Sequence, residues 1–426
     1  MNFSHNSRII TLLLFLLILL VIVVSGRRLA NANDQDVDIV TETAKEPITF
    51  LPLVKNRLSP LPPPLAHTTA APLNVQELTE SIPDSWQLGL NKIGFHTGPN
   101  ANEDGLVDWM NALDGAGIPF FLKTVDHAGT VYVAQEMMRA SGVPHTLVFR
   151  TTTAGRNDGF DYDVPNYNLA PEEAAQIHWQ AHKDKFPPEL DPQYVWIETV
   201  NEVDRGRSEW LAEFALATAK MALEDGYRWA AFGWSSGEPE KADWASPKML
   251  DFLRFAAQHP NDIAIALHEY SYTVNDVGNI YPYLIGRVQA LFEVCDSYNI
   301  RRPTILITEW GWTYDKVPVQ ADAMNDIRWA SYLYAAYPNI KGAAIWYLGG
   351  GFGGIRHLTQ PLIAPVTDFT LSNYYWVALG QGATDPSLFP PPAPRPALDE
   401  PSPATASEGT RRIRPAPKYW LMETIN

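Results

Sequence analysis

Eight runs of hydrophobic, β-branched and aromatic residues alternate with stretches of helical periodicity through the central part of the chain. The strand-like runs cover residues 88–97, 118–126, 145–153, 194–202, 228–236, 263–272, 304–312 and 340–350. Between them apolar residues recur at spacings of three and four, as over 208–226, which opens at Ser208 and closes at Gly226. Another such segment, 169–186, carries Pro171 near its start and acidic residues in its first turn.

Strands that alternate with helices pair in parallel. Eight such units over about 300 residues favour closure over an open doubly wound sheet. No glycine-rich phosphate loop follows the first strand, and GGGFGG at 349–354 follows the last strand, where it is typical of a flexible loop. The pattern therefore predicts an α/β fold, a (β/α)8 TIM barrel, as a single catalytic domain over residues 86–380.

Proline-rich segments flank the predicted barrel on both sides. LSPLPPPLAHTTAAP lies within residues 46–75, and LFPPPAPRPALDEPSPATASEG lies within 385–417. Such segments bury too little apolar surface to fold, and proline keeps them extended. We therefore predict a linker over 33–85 and a C-terminal tail over 381–426.

An almost unbroken apolar run occupies residues 9–24. It is short for a membrane span, which needs about 20 residues. Ala30-Asn31-Ala32 has the small-x-small pattern of a cleavage site, whereas Arg27 and Arg28 directly after the run are typical of an anchor. Residues 1–32 are thus predicted to be a signal peptide or an uncleaved membrane anchor. Either one would place the rest of the chain outside the cell or on its surface, with the membrane contacted only through this segment.

The net charge of −16 argues against a nucleic-acid partner, because a polyphosphate backbone attracts basic surfaces. It fits a protein with a neutral substrate. The one cysteine, Cys295, excludes an intrachain disulfide and a cysteine-based zinc site. His178 and His182 stand four apart in HWQAH, but a zinc protease has glutamate after the first histidine. We predict no metal and no cofactor.

Polar and aromatic residues occur where the predicted strands end, and this end of a (β/α)8 barrel carries the active site. These residues are His96, Asp126, His127, Arg150, Asn201, Glu202, His268, Tyr270, Glu309 and Trp346. Glu202 and Glu309 end the fourth and seventh strands, which lie across the barrel from each other. Two opposed carboxylates, one protonated and one ionised, are what glycoside hydrolysis requires. Glu198, four residues before Glu202, is interpreted as part of a polar layer inside the barrel.

Three motifs resemble those of the retaining glycosidases that share a (β/α)8 barrel, called clan A of the glycoside hydrolases: VNE at 200–202, HEY at 268–270 and ITEWGW at 307–312. The resemblance covers about residues 86–380. It implies that Glu202 is the acid/base and Glu309 the nucleophile of a double displacement.

The same resemblance implies roles for residues around the two glutamates. Asn201 would hydrogen-bond the sugar 2-hydroxyl, Tyr270 would contact the nucleophile, and Trp346 would form the floor of the sugar subsite. Many members also have an arginine near strand two that keeps the nucleophile ionised. This chain has Lys123 there, and Arg150 on strand three is the candidate replacement.

The predicted substrate-binding set is completed by three residues at strand ends, His96, Arg150 and His268, and by Trp310. The flat face and polar edge of a tryptophan suit sugar rings. The expected partner is an oligosaccharide or polysaccharide. Two alternatives remain open from the sequence. One is a non-catalytic, surface-attached glycan-binding barrel, and the other is an inverting hydrolase.

Overall fold

The computed structural model describes residues 63–153 and 155–379, and eight parallel strands close into a barrel within this part of the chain. Numbered in chain order, the strands are β1 (Leu65–Thr68), β2 (Trp86–Gly89), β3 (Ile93–Thr97), β4 (Phe121–Val125), β5 (Thr146–Arg150), β6 (Val195–Glu198), β7 (Arg228–Trp234), β8 (Ile263–Tyr270), β9 (Thr304–Gly311), β10 (Ile340–Ile345) and β11 (Asn373–Ala378). The barrel runs from β3 to β10 in sequential order, and β10 pairs with β3 to close it. The predicted (β/α)8 barrel is confirmed.

Helices follow the barrel strands and cover the outside. They span Val75–Glu80, Leu106–Gly115, Gly129–Ser141, Pro171–Lys185, Ser208–Glu224, Lys241–Trp244, Pro247–Gln258, Val288–Ser297, Gln320–Ala335, Arg356–Thr359 and Ile363–Ser372. Short 3₁₀ turns lie at Arg205–Arg207, Val277–Ile280, Phe352–Gly354 and Gln360–Leu362. The two helices predicted from periodicity are present, one opening at Ser208 and the other at Pro171, whose fixed φ suits a first helical position.

The barrel interior changes from apolar to charged along its length. Side chains alternate between the two faces of each strand, so every second residue points inward. A small apolar cluster fills the lower interior: Phe121, Val148, Trp196, Ala230, Ala264, Ala266, Leu306 and Ala344. Two residues further along their strands, Lys123, Arg150 and Glu198 follow the first three of these, and all are buried. The polar layer expected at Glu198 is therefore present.

The first predicted strand, 88–97, is two strands in the structure. Between β2 and β3 the Asn91 side chain accepts from the Ile93 amide and donates to its carbonyl, at 3.1 Å each. A side chain that closes on the backbone two residues ahead produces a turn. As a result β2 leaves the barrel and joins a separate antiparallel sheet of order β1-β11-β2.

The predicted linker over 33–85 needs a correction at its C-terminal part. Residues 65–68 form β1, which pairs with β11, and residues 75–80 form a helix. β1 is held by pairing to an edge and by stacking of His67 on Tyr374, with ring centroids 4.9 Å apart, so it needs little apolar surface of its own. Proline content upstream of Leu65 did not predict this pairing.

The two ends assigned from sequence, 1–32 and 381–426, lie outside the described residues. Within 63–153 and 155–379, none of the helices combines the length and the apolar character needed to cross a bilayer.

Candidate active site

Glu309 reaches the barrel interior through a bulge in β9. The pairing of β8 with β9 shifts by one residue between Leu267 and His268, so that His268 lies opposite Glu309. Simple alternation would turn Glu309 outward, because Thr308 already faces the interior, where its hydroxyl donates to Glu198 at 2.7 Å. A bulge adds one residue to a strand and redirects the side chains that follow. Thr308 and Glu309 thus both face inward.

The Glu309 carboxylate is buried among donors and cations. The Tyr270 hydroxyl donates to Oε2 at 2.8 Å, and on Oε1 the Arg150 Nη2 lies at 3.3 Å and the Lys123 Nζ at 3.6 Å. Burial raises the pKa of Glu309, but the electrostatic effect of His268, Lys123 and Arg150 outweighs burial and holds the pKa well below the usual range of a glutamate. Glu309 is therefore ionised at neutral pH.

Glu202 has a different environment. Its side chain is 35 % exposed, against 7 % for that of Glu309. Its backbone has a positive φ of 44°, and its amide donates to the Gly233 carbonyl at 2.8 Å. A non-glycine residue in this region is strained, and such strain concentrates at functional sites. Glu202 is thus held at the mouth of the pocket, open to solvent.

The two carboxylates flank one imidazole nitrogen. His268 Nδ1 lies 3.6 Å from Glu202 Oε1 and 3.5 Å from Glu309 Oε2. These two oxygens can be no farther apart than the sum of those distances. The spacing of retaining enzymes, about 5–5.5 Å, fits within that limit, while most of the inverting range, about 6.5–9.5 Å, exceeds it.

Lys123 and Glu198 form a buried ion pair beneath the carboxylates, with Lys123 Nζ 2.5 Å from Glu198 Oε2 and both side chains fully inaccessible. Burial opposes ionisation of Glu198, yet the charges of Lys123 and Arg150 keep its pKa below the ordinary value. Arg150 adds a second contact to Glu198 at 3.5 Å. Lys123 and Arg150 thus each contact both carboxylates, Glu198 and Glu309.

Asn201 follows β6 and is oriented by Arg150. The Arg150 Nη1 donates to the Asn201 side-chain oxygen, and the Asn201 backbone amide donates to the Asp163 carbonyl at 3.0 Å. With its oxygen engaged in this way, the side-chain amide of Asn201 is left as a donor at the pocket. The structure therefore brings Asn201, Glu202, Arg150, His268, Tyr270 and Glu309 together.

Trp346 forms an aromatic surface beside them. It packs in one buried cluster with Tyr270, Val125, Tyr347 and Ile355. Its indole nitrogen donates to the Tyr314 carbonyl at 3.3 Å, which fixes the ring.

His96 lies behind this surface, with its ring 4.9 Å from that of Trp346, and it has no exposed area. Burial lowers the pKa of His96 well below the usual value, so this imidazole is neutral. Direct contact of His96 with substrate stays a prediction, and in the structure its ring packs against that of Trp346. His96 supports the aromatic ring that lines the pocket.

Trp310 is not in the pocket, and this corrects the sequence prediction. It has no exposed area and packs outward in the main core, with its ring 5.2 Å from Trp312. The bulge that turns Glu309 inward places the next residue on the opposite face of β9.

Tyr347 is a site residue that sequence reasoning missed. Its ring stacks on Trp346 with centroids 4.2 Å apart and planes at 17°. A Cβ on Gly98 or Gly349 would lie within 2.2 Å and 2.1 Å of Tyr347, so both positions need glycine for the ring to fit. Gly349, two residues after Tyr347 at the end of the last strand, was the available signal.

His178 and His182 have structural contacts. His178 Nε2 donates to the Thr199 carbonyl at 2.8 Å and accepts at Nδ1 from Arg156 at 2.6 Å, and His182 Nε2 donates to the Tyr162 carbonyl at 2.6 Å. Within residues 63–153 and 155–379, histidine, cysteine and acidic side chains form no group of three or more that could hold a metal ion.

Comparison with known proteins finds similar solved structures but no family. No protein-family model matches the chain, and no curated protein matches it in sequence. Among solved structures, it is similar to a glycoside hydrolase at 11 % identity and a TM-score of 0.33, over 62 % of this chain and 90 % of that one. An endoxylanase from Clostridium papyrosolvens aligns at 15 % identity and a TM-score of 0.32, over 62 % and 67 %.

A mutant tryptophan synthase α-subunit from Pyrococcus furiosus aligns nearly as well, at 11 % identity and a TM-score of 0.29, over 67 % of this chain and 98 % of that one. Glycoside hydrolases are thus among the similar structures, but so is a protein of unrelated activity.

Proposed function

We propose that this protein is a retaining glycoside hydrolase that cleaves O-glycosidic bonds by double displacement. The observation that carries the proposal is the pairing of a buried, ionised Glu309 with a solvent-open Glu202 on either side of His268 Nδ1. The motifs at 200–202, 268–270 and 307–312 resemble clan A of the glycoside hydrolases and assign the same two roles.

In the first step the Glu309 carboxylate attacks the anomeric carbon while Glu202, as the acid, gives its proton to the departing sugar oxygen. The bond from the anomeric carbon to that oxygen breaks, and a glycosyl ester forms on Glu309. The cations around Glu309 keep it ionised and ready to attack. Tyr270, which donates to Glu309, orients the attacking oxygen.

In the second step Glu202 removes a proton from water, which attacks the same carbon and releases Glu309 as a carboxylate. Exposure of Glu202 gives that water a route to the site. Trp346 supplies a flat face for the sugar ring, and the Asn201 amide donates to the 2-hydroxyl, a contact that strengthens in the transition state.

We also propose that the enzyme works outside the cell on an oligosaccharide or polysaccharide. The apolar run at 9–24, with Arg8 before it, supports export by either a cleaved or a retained segment, whereas Arg27 and Arg28 after the run oppose that orientation. The reaction as written uses only carboxyl groups, a tyrosine and water, so it needs neither metal nor cofactor.

Azide tests the two roles with a single reagent. In Glu309→Ala the covalent step is lost and a cavity remains, so azide should enter it, attack an activated aryl glycoside and yield a glycosyl azide of inverted configuration. In Glu202→Ala the ester should still form from that substrate and then wait, because the base for water is gone. Azide needs no base and should release a product of retained configuration.

The measurement is the product configuration by proton NMR, using an aryl glycoside chosen from a panel on the wild-type enzyme. Glu136→Ala, an exposed carboxylate on the outer helices, is the control and should keep full activity. Products of the same configuration from both active-site variants would refute the assigned roles. An inverted product from the wild type would favour the inverting alternative. Binding of glycans without release of reducing sugar would favour the non-catalytic one.

A further inference from the structure

Exposed aromatic side chains are concentrated at one side of the pocket mouth. Within the described residues, the loops after β8, β9 and β10 carry four exposed aromatic residues: Tyr272, Tyr283, Tyr314 and Phe352. Elsewhere in the described residues, only Tyr132 and Tyr298 are comparably exposed aromatic residues. Exposed aromatics of this number on neighbouring loops cost hydration free energy, and clusters of them mark binding surfaces.

Two of these rings continue the aromatic surface of the active site. Tyr272 stacks on Tyr270, with centroids 6.2 Å apart and planes at 18°, and Tyr270 donates to Glu309. Phe352 packs edge-on against Trp346 with centroids 4.9 Å apart. Tyr272 thus packs on the outer side of Tyr270, and Phe352 packs on the outer side of Trp346.

Both outer residues occupy a strained backbone conformation. The φ of Tyr272 is +53° and that of Phe352 is +48°, in the left-handed region that glycine adopts at lower cost. Tyr272 is 49 % exposed and Phe352 38 %, so core packing does not explain why a bulky residue is kept there. Strain that persists without a packing reason indicates a function for the side chain.

The surroundings suit an uncharged ligand. Next to Phe352 lies an open depression of about 510 Å³, lined by Gly350–Gly354 with Asn100, Arg356 and His357 as polar groups. This size falls within the range of small-molecule sites, roughly 300–1,000 Å³. Asp126 and Asp163 follow β4 and β5 and act electrostatically on Arg150 in the pocket, and the chain carries a net charge of −16, so an acidic sugar would be repelled.

We infer that Tyr272 and Phe352 form two outer sugar-binding subsites, and that the substrate is a chain of uncharged sugar units, not a single terminal sugar. This inference rests on the proposed glycosidase function for the position of the reacting bond, which lies beside Glu309. Each ring stacks on one sugar outside the unit that rests on Trp346.

The test measures binding as a function of chain length. Xylo-, cello- and manno-oligosaccharides of one to six units are titrated by calorimetry against full-length protein carrying Glu202→Gln, which prevents turnover. Affinity should rise with length for one of these neutral series, and oligogalacturonates should not bind. In this background Tyr272→Ala and Phe352→Ala should each weaken the binding of chains of four or more units about twofold to tenfold. Binding of one or two units should be unchanged.

Tyr298→Ala is a matched control, because Tyr298 is 47 % exposed but lies away from the strand ends, at the end of helix Val288–Ser297. It should bind every chain as the parent does. Tyr272→Gly provides a second readout. It also lacks the ring and should lose the same affinity, while relief of the positive φ should give it a higher Tm than Tyr272→Ala. A fold defect would not produce equal binding loss at unequal stability.

The inference is overturned by affinity that does not depend on chain length, by equal losses in Tyr298→Ala, or by failure of all three neutral series to bind. The proposed function fails separately. If chains bind with the expected length dependence but the wild-type enzyme releases no sugar from them, the subsites stand and the hydrolase does not. If sugar is released with no length dependence, the hydrolase stands and the subsites do not.

Discussion

Charge compensation around Glu309 depends on individual residues that come from four different strands. Lys123, Arg150 and Glu198 are buried with it, so removal of any one leaves an unbalanced charge in the barrel interior. The folded-state pKa values of Glu198 and Glu309 lie below that of an unfolded glutamate, near 4.5. Stability from these two groups is therefore present above about pH 4.5 and is lost as the pH falls further, through their folded-state values.

Lys123→Met should change both activity and stability. Loss of this cation raises the pKa of Glu309, so the acid limb of kcat/KM should move to higher pH. Glu198 loses its closest partner, at 2.5 Å, which should cost about 3–5 kcal/mol in the free energy of unfolding. The measurements are a pH profile on an activated aryl glycoside and urea unfolding.

Arg139→Met is the control for Lys123→Met, because Arg139 pairs with Glu136 and Asp191 at the surface, with 38 % of its side chain exposed. Its pH profile and unfolding midpoint should match those of the wild type. An unshifted acid limb in Lys123→Met would show that Lys123 does not act on Glu309.

Individual strands and helices are positioned by contacts with residues that lie elsewhere in the chain. The start of the helix Val288–Ser297 is held by Glu269 on β8. The Glu269 carboxylate accepts from the Gly286 amide at 2.7 Å and from the Val288 amide at 3.0 Å. The Tyr334 hydroxyl donates to the same carboxylate. Glu269 is therefore the acceptor for backbone donors that the first turn of a helix leaves free.

Glu269 should also make stability depend on pH. Burial raises its pKa to about 7, above the unfolded value of 4.5. Its contribution is thus fully present below about pH 4.5 and is lost as the pH rises through 7. Glu269→Gln cannot titrate, so the wild-type free energy of unfolding, relative to this variant, should fall between pH 4.5 and 7.5. Urea unfolding of both proteins measures it. A pH-independent difference would contradict the prediction.

β1 should be the least protected strand of the described fold. Its four residues pair only with β11, and three of them are exposed, whereas all eight residues of β8 are buried between neighbours. A strand with few buried contacts unfolds locally at a low free-energy cost. Amide hydrogen exchange by mass spectrometry should show β1 exchanging orders of magnitude faster than β8. The buried β9 serves as the internal reference, and equal protection of β1 and β9 would contradict this.

The molecule as a whole is strongly acidic, and its candidate active site lies at one end of the barrel. The −16 charge surrounds a pocket whose cations are buried and paired, so no basic surface arises from them. The site is therefore electrostatically suited to uncharged sugars and unsuited to polyanions.

At 50 mM salt the protein should pass through DNA-cellulose and heparin columns unretained but bind an anion exchanger at pH 7. Phosphate backbones bind proteins through basic groups, which release counterions from the backbone. In this chain the 32 basic residues are outnumbered by 48 acidic residues. A DNA-binding barrel of basic pI is the positive control. Retention on DNA-cellulose that is abolished by salt would contradict the prediction that the protein has no nucleic-acid partner.

Local patterns in the sequence were sufficient to predict the barrel, the two helices at 169–186 and 208–226, and the set of side chains at the strand ends. Each depends on alternation or spacing within one segment, and parallel strands bring their C-terminal ends to one face of the barrel. Glu202, Glu309, Tyr270 and Trp346 could therefore be grouped before any contact was known. Their catalytic roles remain a prediction.

Contacts between segments decided the rest. The β9 bulge, set by pairing with β8 and β10, turns Glu309 inward and Trp310 outward, and no residue type within the strand encodes that register shift. Lys123 on β4 and Arg150 on β5 both contact Glu198 and Glu309 inside the barrel, and neither strand's own sequence specifies that meeting. β1 folds because β11, some 300 residues later, offers it an edge. Pattern along a chain specifies which face is buried, whereas register and pairing across the fold specify which atoms meet.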